Sequence, residues 1–119
     1  MKKILVLVIL AIFSLSAEVL VSDDFESGTG NWTLTGNWGL EEGTSVSGNY
    51  SLTESPNENY TANNTSIAKW SGTVNLNLYS MAVISFKCKF ELEDQFVVMH
   101  FEVSDNNGIT WDRIRTWTG

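Results

Sequence analysis

From Ala82 to Leu92 an apolar residue recurs at every second position. Ala82, Ile84, Phe86, Cys88, Phe90 and Leu92 fall on one side, and Ser85, Lys87, Lys89 and Glu91 on the other. A two-residue period is the signature of a strand with one buried face, and this one outruns the ~5–6 residues of a typical strand. Glu93-Asp94-Gln95 reads as a turn. Val97, Met99, Phe101 and Val103 then form a second apolar face, opposed by His100, Glu102 and Ser104. Asp105-Asn106-Asn107-Gly108 supplies residues that cap turns or accept positive φ, and a third strand is expected over Ile109–Thr116. Three strands joined in order make an antiparallel meander. One sheet alone leaves its apolar face wet, so the pattern predicts a second sheet packed against it, a β-sandwich.

The first half has shorter β-prone runs: Val19–Phe25, Trp32–Leu34, Trp38–Leu40 and Tyr50–Thr53, with weaker patterns over Thr65–Trp70 and Val74–Leu78. Gly36-Asn37 separates two of these runs. The near-repeat Thr29-Gly-Asn-Trp32 and Thr35-Gly-Asn-Trp38 is too short and too few for a solenoid. Glu41–Asn49 and Glu54–Asn64, the latter holding the only proline, Pro56, read as loops. No stretch sustains a helical period, so the expected class is all-β.

The N-terminus predicts the compartment. Lys2 and Lys3 precede an unbroken apolar run, Ile4–Phe13, with small residues at Ser14, Ser16 and Ala17. That order describes a secretory signal peptide over residues 1–17, shorter than a membrane span. Cleavage after Ser16 puts serine at both −1 and −3, whereas cleavage after Ala17 puts Leu15 at −3. An uncleaved anchor is the alternative. No cysteine stands at the junction, which argues against a lipid-anchored form.

Residues 18–119 then form one small domain. They keep five basic side chains (Lys69, Lys87, Lys89, Arg113 and Arg115) against fourteen acidic ones. Such a balance disfavours binding to nucleic acid, which needs Lys and Arg to displace counterions from phosphates. Cys88 is alone, so no internal disulfide forms, and on an alternating strand it reads as a small apolar residue. His100, the single histidine, has no evident catalytic partners.

Several motifs occur in a familiar order: Asp23-Asp-Phe-Glu-Ser-Gly28, a tryptophan soon after, Ser47-Gly-Asn-Tyr-Ser-Leu52, Ile84-Ser-Phe86, and Val103-Ser-x-x-x-Gly-Ile-Thr-Trp111. Together they resemble the jelly-roll accessory domains of secreted bacterial proteins. The similarity is greatest to the MAM-like domain of immune inhibitor A metallopeptidases and to cleaved adhesin domains. It spans roughly residues 20–119, and it implies two antiparallel sheets, a non-catalytic role and a structural calcium ion. Domains of this kind continue past the Trp111 hairpin to a Gly-aromatic-Ile-Asp-Asp segment, whereas this chain stops at Thr118-Gly119. The resemblance therefore predicts a C-terminally truncated module or the leading piece of a larger protein; a complete minimal sandwich is the alternative.

The expected calcium ligands are Asp23, Asp24 and Glu26, with Asn49 completing the shell. Calcium takes six to eight oxygens, and Asp24 and Glu26 would share one face of a strand. A solvated acidic turn is the competing account. Asp105 reads as a turn residue bonding its own backbone. Ser104–Trp111 also approximates the Asp-box hairpin of sialidases, with Asn106 where the aspartate would be. That motif is a folding element, and the chain is too short for a propeller.

No His-Glu-x-x-His, Gly-x-Ser-x-Gly or phosphate-cradling loop is present, so no enzyme is expected. Five tryptophans (Trp32, Trp38, Trp70, Trp111 and Trp117) suit a β core, with three or more expected to be buried. Trp117 is the one expected to stay exposed for a ligand. His100 and Glu102, on the polar face of a central strand, are further ligand-binding candidates, with a solvated pair as the plainer account. Sequons begin at Asn31, Asn49, Asn59, Asn63 and Asn64 and matter only in a eukaryotic secretory pathway. The sequence thus predicts a secreted or cell-surface, non-catalytic module that binds an extracellular carbohydrate or protein. A carbohydrate-binding module, a fragment of a secreted peptidase and an adhesin are the rivals.

Overall fold

The computed structural model describes residues 18–119; the expected signal segment, 1–17, lies outside them. The described residues hold six strands: β1 (Trp32–Thr35), β2 (Trp38–Glu42), β3 (Tyr50–Glu54), β4 (Ile67–Trp70), β5 (Val98–Val103) and β6 (Asp112–Thr118). They pair as three two-stranded antiparallel sheets, β1 with β4, β2 with β3 and β5 with β6. The all-β class holds, whereas no ladder joins these pairs into the layered sheets of a sandwich. The chain divides into two compact units, one ending at Lys69 and the other starting at Trp70.

In the first unit β2 and β3 form a hairpin that sets Leu40 opposite Leu52, Trp38 opposite Glu54 and Glu42 opposite Tyr50. Opposed residues share a face, so Trp38, Leu40, Tyr50 and Leu52 line one side. Backbone bonds from Gly43 to the Asn49 carbonyl (2.8 Å) and from Ser55 to the Asn37 carbonyl (2.9 Å) extend the ladder at both ends. Gly36, at φ 69°, turns the chain between β1 and β2, and a Cβ there would strike Ser66. The Ser66 hydroxyl is correspondingly close. It donates to Glu54 Oε1 (3.0 Å) and accepts from the Asn37 N–H (3.1 Å) and Asn64 Nδ2 (3.1 Å).

The expected strand Val19–Phe25 is absent, and its residues enter a turn. Asp23 and Asp24 bond the backbone N–H groups of Phe25 and Glu26 at 2.8 and 3.1 Å, and Phe25 takes φ 64°. Such short-range side-chain bonds compete with a ladder and here replace it. Val74–Leu78 likewise forms no strand; Asn75 Oδ1 accepts from the Asn77 N–H (2.9 Å) and Tyr79 bonds back to Leu76.

In the second unit only β5 and β6 are laddered. Residues 82–92 carry no ladder, so the expected meander is reduced to a hairpin. Phe96 and Val97 both bond the Glu93 carbonyl (3.3 and 3.2 Å), which turns the chain from that segment into β5. The third strand begins at Asp112 rather than Ile109. No apolar side chain among the described residues is buried; Ser55 alone is. The tryptophans expected in a core are only half-buried, and Trp111 is 45% exposed.

Candidate functional site

The N-terminal acidic residues form a clasp. Asp23 Oδ2 accepts from Trp32 Nε1 (2.9 Å) and Asn31 Nδ2 (3.2 Å), while its Oδ1 holds the Phe25 N–H. The Phe25 and Trp32 rings lie 5.9 Å apart. Glu26 Oε1 accepts from the backbone N–H groups of Asn49 and Tyr50, both at 2.8 Å, at the start of β3. Gly48 passes so close to this carboxylate, at φ 65°, that a Cβ would overlap it. Partial desolvation pulls the Asp23 pKa upward, but the bonds from Phe25, Asn31 and Trp32 outweigh it, and the net shift is below the usual 3.8.

This geometry bears on calcium. A calcium shell needs converging oxygen lone pairs, yet Asn49 and Tyr50 turn N–H donors toward Glu26, and both Asp23 oxygens already hold donors. Asp24 is tied to the Glu26 N–H. Among the described residues no group of three or more His, Cys, Asp or Glu side chains is placed to hold a metal ion. As arranged here, Asp23, Asp24, Glu26 and Asn49 fit a hydrogen-bonded clasp and do not fit an ion shell.

The β5–β6 hairpin separates the other candidates onto two faces. Met99 opposes Trp117, Phe101 opposes Arg115, and His100 opposes Thr116. One face therefore carries Met99, Phe101, Arg115 and Trp117, and the other carries His100 and Thr116. The two separate ligand-binding candidates thus stand on opposite faces: His100 and Glu102 lie together, and Trp117 lies behind them. A bulge between Phe101 and Glu102 shifts the register so that Glu102 opposes Arg113. Without it, Arg113 would share the Arg115 face; with it, Arg113 Nε reaches Glu102 Oε1 at 3.0 Å. His100 Nδ1 pairs with Thr116 Oγ1 at 2.9 Å. Both pairs are solvent-exposed, so each contributes at most about 1 kcal/mol.

The opposite face is aromatic. Phe86 meets Phe101 at 5.2 Å and Trp117 at 6.4 Å, and Phe90 meets Trp117 at 5.9 Å. The Arg115 guanidinium lies 5.5 Å from the Trp117 ring centre, within cation–π range. Phe86 and Phe90 come from the unladdered segment, four residues apart and on one side of its alternation. Even so they remain 54% and 42% exposed. Trp117, expected to be the exposed ring, is the half-covered centre of this row, whereas Trp111 is more open.

The loop between β5 and β6 is held by its own polar side chains. The Ser104 hydroxyl donates to Asn106 Oδ1 (2.9 Å) and accepts from the N–H groups of Asn106 (3.3 Å) and Gly108 (2.8 Å). Asn106 also accepts from the Thr110 N–H (2.9 Å) and donates to Thr110 Oγ1 (2.6 Å). The asparagine thereby ties the loop at the position where an Asp-box aspartate would stand. Ile109–Trp111, expected in the third strand, therefore belongs to the loop and not to β6. Comparison with protein-family models, with curated proteins and with solved structures finds no match to this chain.

Proposed function

We propose that this chain is a non-catalytic accessory module of a secreted or cell-surface bacterial protein, and that its second unit binds further β-structure through an aromatic face. The row Phe86, Phe90, Phe101 and Trp117 carries the proposal: ring to ring, yet with Phe86 and Phe90 exposed and Phe101 and Trp117 only half-buried. Burying a Phe-sized side chain fully yields about 1.5–3 kcal/mol, so several half-exposed rings on one side retain a large unspent driving force. Exposed apolar patches of this kind mark interaction surfaces.

In its finer form the proposal is a jelly-roll-like sandwich of two antiparallel sheets. Residues 82–92 would ladder onto β5 in the register that sets Phe90 opposite Met99 and Cys88 opposite Phe101. That register places the apolar residues of both segments on the aromatic side, and the Glu93–Phe96 turn already joins them. The covering sheet is further β-structure of a larger polypeptide or of a protein partner. The resemblance to MAM-like domains supports this form.

The decisive comparison is between the chain and its Phe86→Ser/Phe90→Ser variant. The parent is expected to self-associate and to light up a dye that fluoresces on apolar surface, and the variant to lose both properties. A monomeric, dye-silent parent would refute the proposal. Binding to a soluble polysaccharide, abolished by Trp111→Ala, would select the carbohydrate-binding alternative instead.

A further inference from the structure

Asn107-Gly108 is the one Asn-Gly pair in the chain, and it sits at the tip of the β5–β6 loop. Both residues are exposed and both have positive φ, 60° for Asn107 and 80° for Gly108. The turn demands these types. Asparagine tolerates the left-handed region better than most residues with a Cβ, and glycine enters it freely. A Cβ on Gly108 would meet the Trp111 ring only at ordinary contact distance, 3.4 Å, so the demand for glycine there is conformational. The hairpin's conformation thus keeps in place a dipeptide that is chemically fragile.

The fragility is an intramolecular condensation. The Gly108 backbone nitrogen, on losing its proton to base, attacks Asn107 Cγ. An N–Cγ bond forms, the Cγ–Nδ2 bond breaks, and Nδ2 leaves as ammonia after taking up a proton. Water then opens the cyclic imide at one of its two carbonyls, leaving aspartate or isoaspartate. No oxidant or cofactor is involved. The reaction requires the Gly108 nitrogen to be deprotonated and to swing toward Cγ.

We infer that Asn107 is the chain's principal site of spontaneous deamidation and that the Ser104 hydroxyl guards it. In the folded loop the Gly108 N–H donates to Ser104 Oγ at 2.8 Å. That bond stabilises the protonated amide and directs the nitrogen away from the Asn107 side chain. Ser104 is itself fixed, because its hydroxyl proton is committed to Asn106 Oδ1 at 2.9 Å. Attack therefore waits on a local opening of the loop, and its rate is the open-state rate scaled by the fraction open. Once isoaspartate forms, the extra backbone carbon displaces Gly108 from Ser104 and the loop cannot re-close as before.

The test is isoaspartate formation at Asn107, followed by peptide mass mapping during incubation at mildly alkaline pH. Five samples are compared: the whole chain, its Ser104→Ala, Ser104→Thr and Thr110→Val variants, and a synthetic peptide spanning residues 101–114. The chain is expected to react severalfold more slowly than the peptide. Ser104→Ala is expected to approach the peptide rate, and Ser104→Thr, which keeps the hydroxyl, to stay near the parent. Thr110→Val loosens the loop without touching the Gly108 bond and is expected to accelerate the reaction less than Ser104→Ala. Equal rates in chain and peptide would overturn the inference, as would a Ser104→Ala rate matching the parent or the Thr110→Val variant, or earlier isoaspartate at another asparagine. Should Ser104→Ala lose its β-structure by circular dichroism, the chain-against-peptide comparison decides alone.

Discussion

Replacing Asn106 by alanine removes three bonds at once: the acceptor for the Thr110 N–H, the donor to Thr110 Oγ1, and the acceptor for the Ser104 hydroxyl. Each intramolecular hydrogen bond contributes a net ~0.5–1.5 kcal/mol. Here the loop is largely solvated, so water recovers part of each loss, and about 1.5 kcal/mol in all is the reasonable total. That corresponds to roughly a tenfold rise in the open population of the loop. Native-state amide exchange is the matching assay because it reads local opening. The Thr110 and Gly108 amides of Asn106→Ala should lose about tenfold in protection, with the β2–β3 amides unchanged. Asn106→Asp should lose little. Its carboxylate still accepts the Thr110 N–H, and the Thr110 hydroxyl can reverse to donate to the second oxygen. Unaltered Thr110 exchange in Asn106→Ala, or equal losses in Ala and Asp variants, would refute the view that this side chain organises the hairpin.

Further outcomes follow from the clasp and the aromatic face. Because the folded Asp23 pKa lies below its ordinary value, its stabilising contribution is complete above the unfolded pKa near 3.9 and fades as pH falls through the lower folded value. Acid titration of tryptophan fluorescence should show Trp32 released only in that acidic window, and Asp23→Ala should abolish the transition. Glu26→Ala strips the acceptor from the Asn49 and Tyr50 N–H groups and should cost about 1–2 kcal/mol, seen as faster exchange of those two amides; Glu26→Gln should cost less. Melting with millimolar calcium and with chelator should give the same midpoint, and a calcium-dependent rise would restore the ion-shell assignment. Phe101→Cys placed opposite Cys88 should form a disulfide on mild oxidation if residues 82–92 ladder onto β5, since directly opposed strand residues approach the ~3.5–4.5 Å between Cβ atoms that a disulfide spans; failure to cross-link would count against that register.

How far the sequence could be read depended on whether local bonds or distant partners decide the structure. The cores of β1, β2 and β3 were legible because aromatic and β-branched runs are cut by Gly36-Asn37 and by the Gly-Ser loop after Glu42. Val19–Phe25 misleads because its apolar start hides the effect of Asp23 and Asp24, whose carboxylates bend the chain back on itself. The Asp-Asp pair ahead of Glu26-Ser27-Gly28 was the available clue. Ile109–Trp111 misleads similarly: β-prone by type, it is captured by Asn106 through the Thr110 amide. The alternation in 82–92 is real, and Phe86 and Phe90 do project to one side, but periodicity states which face is apolar and not whose backbone it will meet. Whether Trp117 and His100 share a face was not legible at all, since positions on opposed strands share a face only according to register.

The irregularity between Phe101 and Glu102 makes the length of β6 a matter of odd and even. One residue added to or removed from that strand would not merely lengthen or shorten it. Past the offset it would exchange inside for outside, sending the Arg113 cation across to the rings and stranding the Glu102 carboxylate. Length changes by two should be tolerated there far better than changes by one. Homologous chains, where they vary in this strand, are expected to do so in pairs of residues.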